Sequence, residues 1–193
     1  MSIRIAFLRH GHTAWNREHR LQGSTDIPLD DDARATLTGL RLPPLWDRAE
    51  LWSSPLSRAK ETAQIVARPP QVSAALTEMN WGDWEGLKGA DLKADPASGF
   101  KDLEDWGWDY RPPNGESPRD VLARVEPWLN ARIQDTVVVA HMGVMRAALA
   151  LATGWDFHGP CPFIIKRNKL LIIEKTGTGW EMWPSPIRLE STP

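Results

Sequence analysis

A near-continuous apolar run, residues 3–8, opens the chain and ends in Arg9-His10-Gly11-His12-Thr13. Such a run predicts a buried strand. In an open α/β sheet, chemistry sits in the loops beyond the strands' carboxyl ends. Here that loop begins with an arginine and two histidines. The opening segment therefore constrains both the architecture and the place of any site.

Strand-like and helix-like runs then alternate, the pattern of a parallel α/β sheet. A polar, Asp-rich loop over 23–32 precedes a short helix around 33–40, and residues 49–53 predict a second strand. Ser54-Pro55 reads as an N-cap with proline in the first turn of a helix running to Ala67, which Pro69-Pro70 stops. A short third strand is expected near 72–76. Ser117-Pro118 repeats the cap signal before a helix to about Ile133, kinked at Pro127. Residues 136–140 predict an apolar strand and 144–152 a helix closed by Gly154. Residues 169–175 and 179–183 flank Thr176-Gly177-Thr178 as a hairpin. The expected fold is a three-layer α/β/α sandwich with a mainly parallel central sheet.

A length of 193 residues suits one domain over 1–193. The exception to the alternation is the stretch 86–113, rich in glycine and proline and without a long period, which reads as a lid-like insertion. Trp81, Trp84, Trp106 and Trp108 surround it; packing the lid onto the sheet edge is the simpler role for them, and stacking on a flat part of a ligand the other. A net charge of −2 gives no electrostatic reason to expect nucleic acid or an anionic membrane as partner. No apolar run approaches a membrane span, and Met1-Ser2-Ile3-Arg4 leads straight into a strand, so neither anchor nor signal peptide is expected. The lone cysteine, Cys161, excludes an intrachain disulfide and suits a reducing cytoplasm. Oligomeric state is left open.

Parallel strands gather their carboxyl ends along one edge. Arg9 and His10 follow the first strand, Arg58 lies one helical turn beyond the second, Glu78 follows the third and His141 ends the fourth. Two arginines, two histidines and a carboxylate would thus share a crevice, which is apparatus for moving a phosphoryl group.

The pieces around these residues carry a specific resemblance. Arg9-His10-Gly11 with Thr13 and Asn16, then Leu21-Gln22-Gly23 and Asp26-Ile27-Pro28-Leu29, resemble the opening of the histidine phosphatase superfamily, phosphoglycerate-mutase-like branch 1. Ser54-Pro55-Leu56-Ser57-Arg58-Ala59 with Thr62-Ala63, Leu76-Thr77-Glu78 before Gly82-Asp83-Trp84-Glu85-Gly86, Asn114-Gly115-Glu116-Ser117, and Val138-Val139-Ala140-His141 with Gly143 and Arg146 are similar to its later motifs, in family order. The resemblance implies hydrolysis of a small-molecule phosphomonoester without a metal or cofactor. Neutral His10 would attack phosphorus to form phosphohistidine, Arg9 and Arg58 would grip equatorial oxygens, His141 would add a donor, and Glu78 would protonate the leaving alkoxide. Asn16, Gln22, Gly11 and Thr13 are the expected substrate-binding positions. Phosphoglycerate-mutase-type transfer, and a catalytically idle binding or regulatory module on the same scaffold, remain as alternatives. Within hydrolysis, a broad-specificity phosphatase and an α-ribazole phosphatase are equally compatible.

Some residues invite rival readings. Glu85 is a second candidate acid. His12 stands where the family most often has an acidic residue. A metal role for His10 and His12 is disfavoured, since alternation points them apart and no zinc-type ligand set follows. His19 and His158 lack motif context, and Asp102, Glu104 and Asp105 read as a solvated face. Cys161 and Arg167 have the spacing of a cysteine phosphatase loop, but the intervening Pro162-Phe163-Ile164-Ile165-Lys166 lacks glycine and reads as a strand, so no cradle of amides forms. Cys161 is then a buried structural cysteine, and Cys161→Ser is expected to leave turnover unchanged; inactivation in a phosphate-release assay would revive the cysteine mechanism.

Overall fold

A computed structural model describes residues 2–192. Along the chain come β1 (Arg4–Arg9), α1 (Ala14–Arg17), α2 (Asp31–Thr38), β2 (Leu40–Arg41), α3 (Pro44–Asp47), β3 (Glu50–Ser53), α4 (Ser57–Val66) and β4 (Gln71–Val72). Then follow α5 (Gly89–Ala94), α6 (Pro118–Asn130), β5 (Thr136–Ala140), α7 (Met142–Thr153), β6 (Lys169–Thr176), β7 (Gly179–Met182), β8 (Ile187–Arg188) and β9 (Glu190–Ser191). The main sheet has the order β4-β3-β5-β1-β6-β7, with β8 also on β6. The strands β4, β3, β5 and β1 are mutually parallel, whereas β6 runs antiparallel to β1 and to β7. The sheet is mixed and mostly parallel, with helices on both faces.

The apolar runs follow from that layering. Ile5 and Phe7 of β1, Val138 and Ala140 of β5, and Leu171 and Ile173 of β6 enter the core shared with α6 and α7. Their neighbours Ala6, Leu8, Val137, Val139, Leu170 and Ile172 enter the opposite core with α2 and α4. A strand covered on both faces needs apolar side chains at every position, because successive residues point to opposite sides. Helix ends are set locally. Ser117 and Asp120 form a reciprocal capping box on α6, and α7 stops at Gly154, whose φ of 72° suits glycine. Pro127 lies within α6.

Three local expectations are corrected. Ser54 does not cap α4: its hydroxyl accepts from Leu56 N at 3.0 Å in a tight turn, and the helix starts at Ser57. The strand expected over 72–76 is only Gln71–Val72, because Ser73 accepts from Ala75 N and winds the chain into a 3-10 turn over Ala74–Leu76. The stretch 162–166 is irregular and not a strand.

Residues 86–113 contain α5 and a 3-10 turn at Pro96–Ser98 and are otherwise irregular. Their anchor is aromatic. Phe157, buried with φ of 64°, lies parallel to the Trp106 ring with centroids 6.3 Å apart and meets Trp108 edge-on at 5.0 Å. Its carbonyl accepts from Gly107 N at 3.0 Å. Trp106 in turn meets Trp81 edge-on at 5.4 Å. Phe157→Ala is therefore expected to lower Tm by on the order of 10 °C and to expose residues 99–113 to proteolysis. Unchanged cleavage of that stretch would show it is held elsewhere.

Candidate active site

Register brings the two histidines together. Arg9 pairs with Ala140 across β1 and β5, and His10 N donates to Ala140 O at 3.1 Å. The residues immediately past the two strands, His10 and His141, then lie side by side with ring centroids 5.0 Å apart. Both are buried.

Each ring has its tautomer set by a neighbour. His10 Nδ1 lies 2.6 Å from Gly11 O, and a carbonyl can only accept, so Nδ1 carries the proton and Nε2 keeps a lone pair. Arg58 Nε donates to His141 Nδ1 at 3.3 Å, which places that ring's proton on Nε2. His141 Nε2 is buried with no partner among the described residues. One ring thus offers a lone pair and its neighbour an N–H. Burial, then Arg58, Arg9 and Arg167, push the His10 pKa well below 6.5. Burial and the adjacent His10 and Arg58 do the same to His141.

The arginines divide into committed and free. Arg58 is fully buried; besides His141, it donates to Gly23 O at 2.7 Å and Thr25 O at 2.9 Å. Its guanidinium therefore holds the 23–25 loop, and it does not line the cavity beside His10, contrary to the simplest expectation of a phosphate clamp. Arg9 and Arg146 do line that cavity, and neither has a hydrogen-bond partner among the described residues. Burial lowers the pKa of both, and Glu78 opposes the shift. Unused donors on two guanidiniums at one pocket suit an anion.

The two candidate acids separate cleanly. Glu78 is buried and its pKa is raised above 4.5 by desolvation, although Met79 N and Gly143 N both donate to Oε1, at 2.8 and 2.9 Å. Glu85 accepts from Ser24 N, Thr25 N and Trp81 N, and its pKa is lowered. Although desolvation is the largest single influence on it, the donors from Thr25 and Ser24 together outweigh it. Glu85 is a loop staple; Glu78 is the group that can hold a proton. A Cβ at Gly143 would come within 2.7 Å of Glu78 Oε1 and 2.8 Å of Met79 Cβ, so glycine leaves the room that Glu78 occupies.

The cavity encloses about 170 Å³ and is lined by Arg9, His10, Asn16, Gln22, Glu78 and Arg146, with Arg20, Trp81 and Met142 at its walls. Asn16 and Gln22, the expected binders, both line it. Gly11 and Thr13 are not among the lining residues: Gly11 N donates to Thr62 Oγ1 at 3.0 Å, and buried Thr13 caps α1. They shape the loop from behind. Arg146 stands in the motif that follows His141 but carries no local signal of its place in the cavity. Arg167, set aside in the sequence with the Cys161 spacing, donates from its Nε to His10 O at 3.1 Å. Burial and the neighbouring Arg9 and Arg17 bring the Arg167 pKa down to about 9. Among the described residues, no three His, Cys, Asp or Glu side chains converge as a metal site. Cys161 is half-buried, with Sγ 3.3 Å from Phe163 O.

Comparison with known proteins identifies the family to which this fold and site belong. Residues 5–183 match the histidine phosphatase superfamily (branch 1), and the chain belongs to that family. A 2,3-bisphosphoglycerate-dependent phosphoglycerate mutase of Bartonella tribocorum is 32% identical over 170 residues, 79% of this chain and 82% of its own. A glucosyl-3-phosphoglycerate phosphatase of Mycobacterium tuberculosis is 34% identical over 171 residues, 76% of this chain and 74% of its own. Among solved structures, a phosphoglycerate mutase from Thermus thermophilus superimposes with a TM-score of 0.69 at 28% identity, covering 98% of this chain and 100% of that one. No helix among the described residues is long and apolar enough to cross a membrane.

The buried histidines have a thermodynamic consequence. The unfolded chain takes up protons below the ordinary histidine value of 6.5, whereas the folded chain, with both values depressed, does not. Stability is therefore expected to fall as pH drops below 6.5. Glu78, raised above 4.5, has the opposite sign, adding stability at low pH that is lost as pH rises through its folded value. Tm measured across this range should show a shallower acid decline in His141→Gln than in the parent chain; parallel curves would mean His141 is not depressed.

Proposed function

We propose that the protein hydrolyses a small-molecule phosphomonoester through a phosphohistidine at His10. The observation that carries this reading is the neutral His10 ring, proton on Nδ1 and lone pair on Nε2, beside a cavity that holds two unpartnered guanidiniums and Glu78, whose pKa burial raises. Kinship to proteins named as phosphatases and mutases supports the class of chemistry.

Nε2 of His10 donates its lone pair to phosphorus, and the bond from phosphorus to the ester oxygen breaks in line. Glu78 gives its proton to the departing alkoxide. Arg9 and Arg146 of the cavity lining neutralise charge on the equatorial oxygens, and the His141 N–H, buried beside His10 behind that lining, adds a donor, all fixed before the reaction begins. Arg58 acts through His141 and the 23–25 loop. A water then loses its proton to the Glu78 carboxylate and attacks phosphorus. The bond from phosphorus to Nε2 breaks, returning neutral His10 and a protonated Glu78. Guanidiniums do here the charge work that a metal ion does in other phosphoryl transferases. Phosphoglycerate-mutase-type transfer is the second reading, favoured by the mutase relatives. It differs only in returning the phosphoryl group to an acceptor before water arrives.

The test is phosphate release from a panel of phosphomonoesters with excess chelator, alongside acid-quench trapping of labelled phosphohistidine. Release with a trapped adduct is expected, and both should vanish in His10→Ala. Trapped adduct with exchange between positions of phosphoglycerate and no net release would establish the mutase. Neither signal would leave a binding module. Arg58→Ala is expected to lower kcat on the order of a hundredfold by freeing His141 to change tautomer; a change confined to KM would show that Arg58 only binds.

A further inference from the structure

The segment between α7 and β6 returns to the site and brings Arg167 with it. Its Nε donates to His10 O at 3.1 Å, and its Nη2 donates to Asn16 Oδ1 at 2.8 Å. A guanidinium has donors only, so Asn16 must turn its oxygen toward Arg167. The Thr13 backbone N–H reaches the same oxygen at a longer 3.3 Å. Asn16 Nδ2 then faces Gln22 Oε1 at 3.1 Å, and that oxygen also accepts from Thr13 Oγ1 at 3.1 Å. What remains of Gln22 is its amide nitrogen, buried and unpartnered among the described residues, on a side chain lining the cavity beside Arg9 and His10.

Polarity is therefore passed along a chain of two amides. An amide turned over exchanges donor for acceptor at both ends. If Asn16 flipped, its oxygen would face Gln22, Gln22 would follow, and a carbonyl oxygen would meet the bound anion. The Thr13 hydroxyl can donate or accept, so it does not fix the direction. Arg167 does, through a charge-assisted bond shorter than the one from the Thr13 backbone N–H, which points the amide the same way.

We propose that Arg167 is a positioning residue for phosphate binding: presenting only donors, it fixes the Asn16–Gln22 relay so that Gln22 offers an N–H, never an oxygen, to the phosphate. The inference rests on reading this cavity as a phosphate site.

The test is a double-mutant cycle in the full chain, read as the Kd for inorganic phosphate and as kcat/KM. Gln22→Ala is expected to cost about tenfold in the parent, and less than about threefold when Arg167→Gln is already present, because an uncharged amide at 167 can face Asn16 either way. Arg167→Lys, again donors only, should restore the larger cost. Alongside it, the Gln22 side-chain NH2 resonance should shift on adding inorganic phosphate in the parent and in Arg167→Lys, and not in Arg167→Gln. Should Arg167→Gln fail to fold, Asn16→Asp keeps both bonds to its oxygens but has no N–H for Gln22, and should also abolish the phosphate-induced shift. Equal costs of Gln22→Ala in both backgrounds, or an intact shift in Asn16→Asp, would overturn the relay and leave Arg167 a mere tie to the His10 backbone. A parent chain that neither binds inorganic phosphate nor forms phosphohistidine would bring down the functional reading and the relay with it.

Discussion

Two imidazoles lie buried side by side with several guanidiniums at hand, and that crowding is the constraint on which the site depends. Neither ring can take a proton there without paying for both desolvation and like-charge repulsion. Neutrality is thus built into the packing, and it is neutrality that turns a histidine into a nucleophile. The remaining contacts decide only which nitrogen carries which atom. A backbone carbonyl does this for His10 and a buried arginine for His141.

The sheet supplies the coincidence of position. Because β1 and β5 are neighbours in parallel register, the residues just beyond them are forced together whatever their identity. Helix α4 then delivers Arg58 from the strand on the other side of β5, and α7 begins on the residue after His141, so its Gly143 amide can hold Glu78. Backbone geometry thus fixes His10, His141 and Glu78 relative to one another, and long side chains only adjust between them.

Much of this was legible in the sequence because it depends on local pattern. Apolar runs marked β1 and β5 through their burial on both faces, and the charged residues directly after them could only stand at the sheet's carboxyl edge. What was illegible depends on partners distant in the chain. Nothing near Arg58 says that its donors go to Gly23 and Thr25, nor does anything near Arg167 say that it meets His10, 157 residues away. Glu78 and Glu85 look alike as letters; only the donors gathered around Glu85 and the dry surroundings of Glu78 separate an ionised carboxylate from an acid. Ser54-Pro55 misled because a serine hydroxyl serves a tight turn as readily as a helix cap.

The antiparallel strand β6 lies directly against β1 although almost the whole chain separates them. A ribosome delivers the segments in order, amino end first. The nascent polypeptide therefore carries His10 long before the strand that walls β1 and the arginine that touches His10 have been made. Assembly of the centre waits until residues 167–176 have been made, so a product released before them carries both histidines without the enclosure around them.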